Sequence, residues 1–144
     1  MLAIPEEYAA YRSAYLAGGY HDDAASLDEV QITRNSVRGS FRMTHRFETP
    51  EGHFELSVPN VVVWALQLGV IYGCAQHGCS EARNISVREI SLKCLRPVTD
   101  PNNIPVRLRL RFRRPVPGGT YYVGDIDVAH GGFAGRIGFT FPTD

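Results

Sequence analysis

The chain has 144 residues, 44% of them hydrophobic, so it can bury a sizeable core and is short enough to form a single domain over residues 1–144. Fifteen basic and fifteen acidic residues cancel, which argues against nucleic acid or a membrane surface as partner. The three cysteines are odd in number and fit no zinc-ligand spacing, so we expect reduced thiols, no metal site and a cytoplasmic protein.

The N-terminal segment has the spacing of an amphipathic helix. Three tyrosines recur at intervals of three and four, and two glutamates stand in the first turn, where they suit the helix dipole: Tyr8, Tyr11, Tyr15, Glu6 and Glu7. The pattern predicts a helix over 5–17, stopped by two glycines, so that the whole element lies within 1–19. No basic and apolar leader precedes it, and no signal peptide is expected.

Strand patterns follow over 30–33 and 37–47, the second alternating apolar and polar residues as a half-buried strand does. Thr49, Pro50, Glu51 and Gly52 predict a turn. A central helix is expected over 58–77, because 61–75 has Gln67 as its one clearly polar side chain. Such a run predicts a helix buried on nearly all sides, and at about 22 Å it is too short to span a bilayer.

Two glycines in this helix, Gly69 and Gly73, lie on one stripe with Ala65 and predict close approach by another element. The last third predicts four strands, over 85–95, 106–112, 121–129 and 133–141. In the second of these, the apolar series ends at Phe112, and arginines 107, 109, 111 and 113 should face away from the helix. One antiparallel sheet around one central helix satisfies this layout, which is an α+β hot-dog fold.

The segment Gly52-His53-Phe54, followed by a short linker and a helix, resembles the Gly-His-Phe segment of hot-dog enzymes that act on acyl thioesters. Related dehydratases of 3-hydroxyacyl carrier protein have a helix glutamate where this chain has Gln67, whose amide is not a general acid. The chain is more similar to acyl thioesterases of the FcoT type, with relatives in β-amino acid and isonitrile lipopeptide pathways, which share a Gln-Leu pair in the helix.

This resemblance implies a thioesterase for acyl carrier protein or coenzyme A thioesters that needs no cofactor. It also implies two tyrosines and an asparagine near the pocket. Tyr20 matches the first tyrosine, whereas the second falls on Phe47 and the asparagine on Glu55.

The residues themselves also predict how a thioester could react, independently of this resemblance. A helix N-terminus aimed at a thioester carbonyl stabilises the oxyanion of hydrolysis and equally the enolate formed by addition. His53 and Glu55 just before it are candidate acid–base groups, and Ser57 or Asn60 is a candidate cap. Trp64 is core or pocket wall, and Gln67 contacts substrate or ties the helix to the sheet.

From the pathway relatives, we expect glycine to add to an α,β-unsaturated acyl thioester before hydrolysis, giving an N-carboxymethyl-3-amino acid. An arginine should then hold the glycine carboxylate, and Arg42 and Arg46 are nearest in sequence. The alternatives are a dehydratase or hydratase, and a non-catalytic acyl-binding module. A homo-oligomer, dimer or higher, is expected because one sheet around one helix leaves the pocket open.

Overall fold

The structure, a computed structural model, describes residues 3, 5–48 and 52–143. The predicted turn at 49–52 lies outside them except for Gly52. The elements in chain order are a 3-10 helix Glu6–Tyr11, α1 Ala14–Ala17, a 3-10 helix Gly19–Asp22, β1 Ala24–Ile32, β2 Ser36–His45, α2 Val58–His77, β3 Ser86–Cys94, β4 Ile104–Val116, β5 Gly119–Val128 and β6 Phe133–Pro142.

The six strands form one antiparallel sheet in the order β1-β2-β4-β5-β6-β3, so β1 and β3 are its edges. Helix α2 packs across one face of the sheet and makes most of its contacts with β2 and β4. Its buried side chains and those of the sheet form one continuous core, in which Trp64 stacks on Phe41 and Tyr72 meets Tyr122 edge-on. The predicted layout of a helix after the first long strand and four strands after it is confirmed.

The glycine stripe of α2 brings the helix against β6. A Cβ placed on Gly69 would lie 3.3 Å from the Phe139 ring, and one on Gly73 would overlap the Phe141 ring. Ala65 is fully buried on the same stripe. The predicted close approach is therefore present, and its cause is the packing of two phenylalanine rings against bare helix backbone.

The prediction that α2 is buried on nearly all sides is wrong for the single chain. Its inner face is buried, but Val63 on the outer face is 61% exposed. The length argument also fails, because α2 runs for 20 residues, about 30 Å, and by length and composition could cross a bilayer. Its packing against the sheet is that of a core helix.

The predicted single N-terminal helix is also wrong, because two short helical turns are separated by extended residues at Arg12 and Ser13. The Ser13 hydroxyl accepts a hydrogen bond from the Leu16 amide at 3.2 Å and starts α1 anew. Tyr8 and Tyr11 are exposed, so no packing stabilises a continuous amphipathic helix.

Strand β4 contains a β-bulge between Leu110 and Phe112, where its register with β5 shifts. After the bulge, Phe112 lies on the outside and is 51% exposed, while Arg113 pairs with the buried Tyr122. The predicted alternation is therefore wrong at its end. Arg113 belongs to the helix-facing side because one extra residue reverses the side-chain order.

Candidate functional site

A cavity of about 410 Å³ opens at the N-terminal end of α2. It lies between the N-terminal segment, the end of β2, the loop 52–57 and the first residues of α2. The side chains that line it are mixed in character: Tyr15, Asp23, Arg46, Phe47, His53, Phe54, Glu55, Leu56, Ser57, Val58, Cys94 and Phe133. An apolar wall with a few polar groups is typical of a small-molecule site.

The loop before α2 places both predicted acid–base residues in this cavity. Burial alternates along it: Phe54 and Leu56 are buried in the core, whereas His53 and Glu55 are exposed. The Leu56 amide donates to the Val98 carbonyl at 2.8 Å, which fixes the loop. His53 and Glu55 therefore share one side because the two apolar residues between and after them anchor the chain.

Arg46 supplies the positive charge of the cavity. It follows the end of β2, and its guanidinium carbon lies 5.8 Å from the centre of the Phe54 ring, over its face. Phe47 lies beside it, half-buried, with its ring 5.7 Å from that of Tyr15. The predicted Arg46 and Phe47 thus line the same cavity as His53 and Glu55.

A closed hydrogen-bond network underlies this end of α2. The Tyr15 hydroxyl lies 2.9 Å from Asp23 Oδ2 and 2.7 Å from Ser57 Oγ. Since a tyrosine has one hydroxyl proton, it donates to the carboxylate and accepts from Ser57. The Asn60 amide then donates to Asp23 at 2.9 Å and to Ser57 at 3.0 Å. The other Asp23 oxygen accepts from the Phe47 amide at 2.8 Å.

The network has two electrostatic consequences. Burial raises the pKa of Tyr15; the Ser57 hydrogen bond opposes this rise, and the neighbouring Asp23 adds to it, so the phenol stays protonated at neutral pH. Ser57 stands at the N-cap of α2, but its side chain makes no capping hydrogen bond. The first backbone N–H groups of α2 are therefore not capped by that hydroxyl, and the helix N-terminus retains its partial positive charge beside the cavity.

Three predicted site residues lie near the cavity without lining it. Tyr20 is 40% exposed, and its ring lies 6.2 Å from that of Tyr15. Asn60 holds the network together from behind. Trp64 is a core residue, stacked at 4.6 Å on Phe41, because its ring falls on the inner face of α2.

Two predicted site residues lie elsewhere. Gln67 is exposed on the outer face of α2, beside Val70 and Cys74 in a separate hollow, because position 67 faces away from the sheet. Arg42 is exposed on β2 and forms an ion pair of 3.1 Å with Asp28 of β1. In the single chain, neither residue lines this cavity, and contact of either with substrate stays a prediction.

Sequence reasoning did not identify Tyr15, Asp23, Cys94 or Phe133 as site residues. Tyr15 belongs to the tyrosine stripe of the N-terminal segment and Asp23 to a polar loop, and neither position carries a motif. Asp23 is held by a residue 37 positions away, which no local spacing indicates. Among the described residues, no group of three or more His, Cys, Asp or Glu could hold a metal ion.

The sequence matches no protein-family model and no curated protein. Solved structures do match. A variant of the thioesterase SAV0944 from Staphylococcus aureus has a TM-score of 0.60 at 11% identity, covering 83% of this chain and 93% of that one. A variant of thioesterase PA1618 from Pseudomonas aeruginosa has a TM-score of 0.56 at 17% identity, covering 99% and 97%. The dehydratase heterocomplex ApeI:P of Xenorhabdus doucetiae has a TM-score of 0.59 at 12% identity, and the match covers 82% of this chain and 83% of that one.

These three matches cover 82–99% of this chain and 83–97% of the matched chains. The chain has the hot-dog fold. The predicted fold class is therefore confirmed. At these identities the likeness extends to the hot-dog fold alone, and the activity has to be argued from the cavity.

Proposed function

We propose that this hot-dog protein hydrolyses acyl thioesters carried on an acyl carrier protein or coenzyme A, at the cavity before α2. The observation that carries the proposal is that His53, Glu55 and the N-terminus of α2 meet at one cavity with an apolar wall. Two of the three matched structures described above are named thioesterases, which supports the proposal.

The proposed reaction uses His53 as general base. Its imidazole takes a proton from water, and the resulting hydroxide attacks the thioester carbonyl carbon. The N-terminus of α2 stabilises the negative charge on the carbonyl oxygen, and the carbon–sulfur bond then breaks to give a thiolate, which takes up a proton. Phe47, Phe54 and Phe133 provide an apolar surface for the acyl chain.

The finer proposal is that glycine first adds to an α,β-unsaturated acyl thioester in the same cavity. The observation that favours it is Arg46, a guanidinium beside His53 and Glu55 that can pair with the glycine carboxylate. The amine nitrogen bonds to carbon 3, its proton passes to a cavity base, and carbon 2 takes up a proton. Hydrolysis then yields the N-carboxymethyl-3-amino acid and the free thiol. The resemblance to FcoT-type enzymes rests on the Gly52-His53-Phe54 motif and the Gln67-Leu68 pair.

Incubation of the purified protein with a 2-enoyl thioester, with and without isotopically labelled glycine, separates the candidate functions. Thiol release alone, with plain enoic acid as product, supports the hydrolase and removes the glycine step. Labelled amino acid supports both steps. Hydration or dehydration without thiol release would favour the dehydratase alternative, and tight binding without turnover would favour an acyl-binding module.

We also propose a homo-oligomer, in which a second copy covers the outer face of α2. Val63 is 61% exposed there, and β3 leaves a free edge with exposed Val87 and Ile90. Light scattering at micromolar concentration should show a dimer or larger species, weakened by Val63→Asp. Leu16→Asp, at a side chain also 61% exposed but away from this face, is the matched control. A monomeric wild-type protein would contradict this proposal.

A further inference from the structure

We propose that the opposite end of α2 carries a second binding site, for the carboxylate or phosphate group of a small molecule, held by Arg113 and Arg34. A cavity of about 390 Å³ opens there between the β1–β2 turn, the end of α2 and the bulged part of β4. Nothing in the proposed thioester reaction uses it. It is separated from the first cavity by the length of a 20-residue helix, about 30 Å.

The β-bulge in β4 creates this site. Without the shift between Leu110 and Phe112, Arg113 would stand on the outer face with Arg107 and Arg109. With it, Arg113 faces the end of α2 beside the buried Tyr122. Bulges re-aim single side chains in this way and are frequent beside binding sites.

Polar groups lie beside Arg113. It pairs with Tyr122 across β4 and β5, and the Tyr122 hydroxyl lies 2.8 Å from His77 Nε2. Burial raises the pKa of Tyr122, and the nearby Arg113 guanidinium opposes that rise. Burial lowers the pKa of His77, and the charges of Arg113 and Arg83 lower it further, so the imidazole is neutral at pH 7. The groups beside Arg113 are thus neutral, and none of the described residues that line the cavity is a carboxylate.

The turn between β1 and β2 places Arg34, the second positively charged residue, at the cavity. The Tyr72 hydroxyl donates to the Arg34 carbonyl at 2.7 Å, and the Leu110 amide donates to the Asn35 carbonyl at 2.7 Å. These bonds fix the turn on the rim of the cavity, where Arg34 is one of the lining residues.

The charge balance of the cavity favours an anion. Three arginines line it, and no carboxylate does among the residues described. Arg111 is already paired with Asp125, which leaves Arg34 and Arg113 to bind an oxyanion through their paired N–H groups. Tyr72 and Leu110 add apolar surface, so a ligand with an aromatic or aliphatic body beside its anionic group fits best.

Calorimetric titration at fixed ionic strength tests the site, with inorganic phosphate and benzoate as separate probes. We expect saturable binding of at least one probe, weakened about 10- to 100-fold in Arg113→Met and in Arg34→Met. Arg109→Met, on the outer face of the same strand, is the matched control and should bind as the wild type does. The probe that binds more tightly identifies carboxylate or phosphate as the preferred group.

Arg34 is exposed on a turn, so Arg34→Met keeps the test valid if Arg113→Met fails to fold. A direct readout is the His77 imidazole signal in NMR, whose titration midpoint should rise when an anion offsets the charge of Arg113. Absence of saturable binding, or equal binding by all variants, would overturn the proposal. Arg113 would then only complement the partial negative charge at the end of α2.

Discussion

The side-chain amide of Asn60 donates a hydrogen bond of 2.9 Å to the carboxylate of Asp23, which lies 37 residues earlier in the chain. The same amide nitrogen donates to Ser57 at 3.0 Å, and both acceptors also contact the Tyr15 hydroxyl. This one side chain therefore ties the N-terminal segment to the beginning of α2, behind the cavity that contains His53 and Glu55.

Replacing Asn60 by alanine should destabilise the protein by about 1–3 kcal/mol, because Asp23 and Ser57 each lose a donor in a half-buried position. Urea unfolding measures the difference. Asn84→Ala, at an exposed position, is the control and should change stability by less than about 0.5 kcal/mol. Equal effects of the two substitutions would show that the network contributes nothing to stability.

Gly73→Ala should destabilise the fold by about 1–3 kcal/mol, because the new methyl group overlaps the ring of Phe141. Gly69→Ala is the matched control on the same stripe. Its methyl group would meet Phe139 at 3.3 Å, and alanine gains up to about 1 kcal/mol of helix propensity over glycine. Thermal unfolding should therefore separate the two variants clearly; two variants of equal stability would contradict the close approach at Gly73.

The pH dependence of stability should reveal His77. Its pKa is lowered in the folded state by burial and by Arg113 and Arg83, so the unfolded chain binds the proton more readily. The folded state therefore loses stability as the pH falls through the unfolded value of about 6.5. In His77→Gln this loss is absent, so the stability difference between the wild type and the variant should change between pH 8 and 5.

Thermal unfolding across that range, with His130→Gln as an exposed control, makes the measurement. A difference between wild type and His77→Gln that stays constant from pH 8 to pH 5 would show that His77 titrates normally in the folded protein.

The sequence predicted the structure where a local pattern of apolar or small residues determines an element and its packing. The apolar run around Gln67 predicted the central helix. The glycine stripe of Gly69 and Gly73 predicted close approach by another element, which in the structure is β6. The order of elements then followed, because a helix after the first long strand and four strands after it leave few arrangements of a single sheet. The sequence also predicted that His53 and Glu55 lie just before this helix, and in the structure the buried Phe54 and Leu56 alternate with them.

Other features could not be predicted from local patterns, because they depend on contacts between residues distant in sequence or on a change of strand register. The Asp23–Asn60 bond joins two segments with no shared motif. The bulge that carries Arg113 to the inner face interrupts the clearest alternation in the chain, and an alternating sequence gives no sign of it. The N-terminal tyrosines have helical spacing, but Tyr8 and Tyr11 find no surface to pack on.

The most direct test of the proposed activity is the turnover of an acyl thioester by His53→Ala, followed by thiol release. If His53 is the general base, the variant should lose about 10²- to 10⁴-fold in rate while its unfolding transition is unchanged. His130→Ala, exposed and outside this cavity, should keep the wild-type rate. Hydrolysis by His53→Ala at close to the wild-type rate would contradict the account and leave His53 without a role in the reaction.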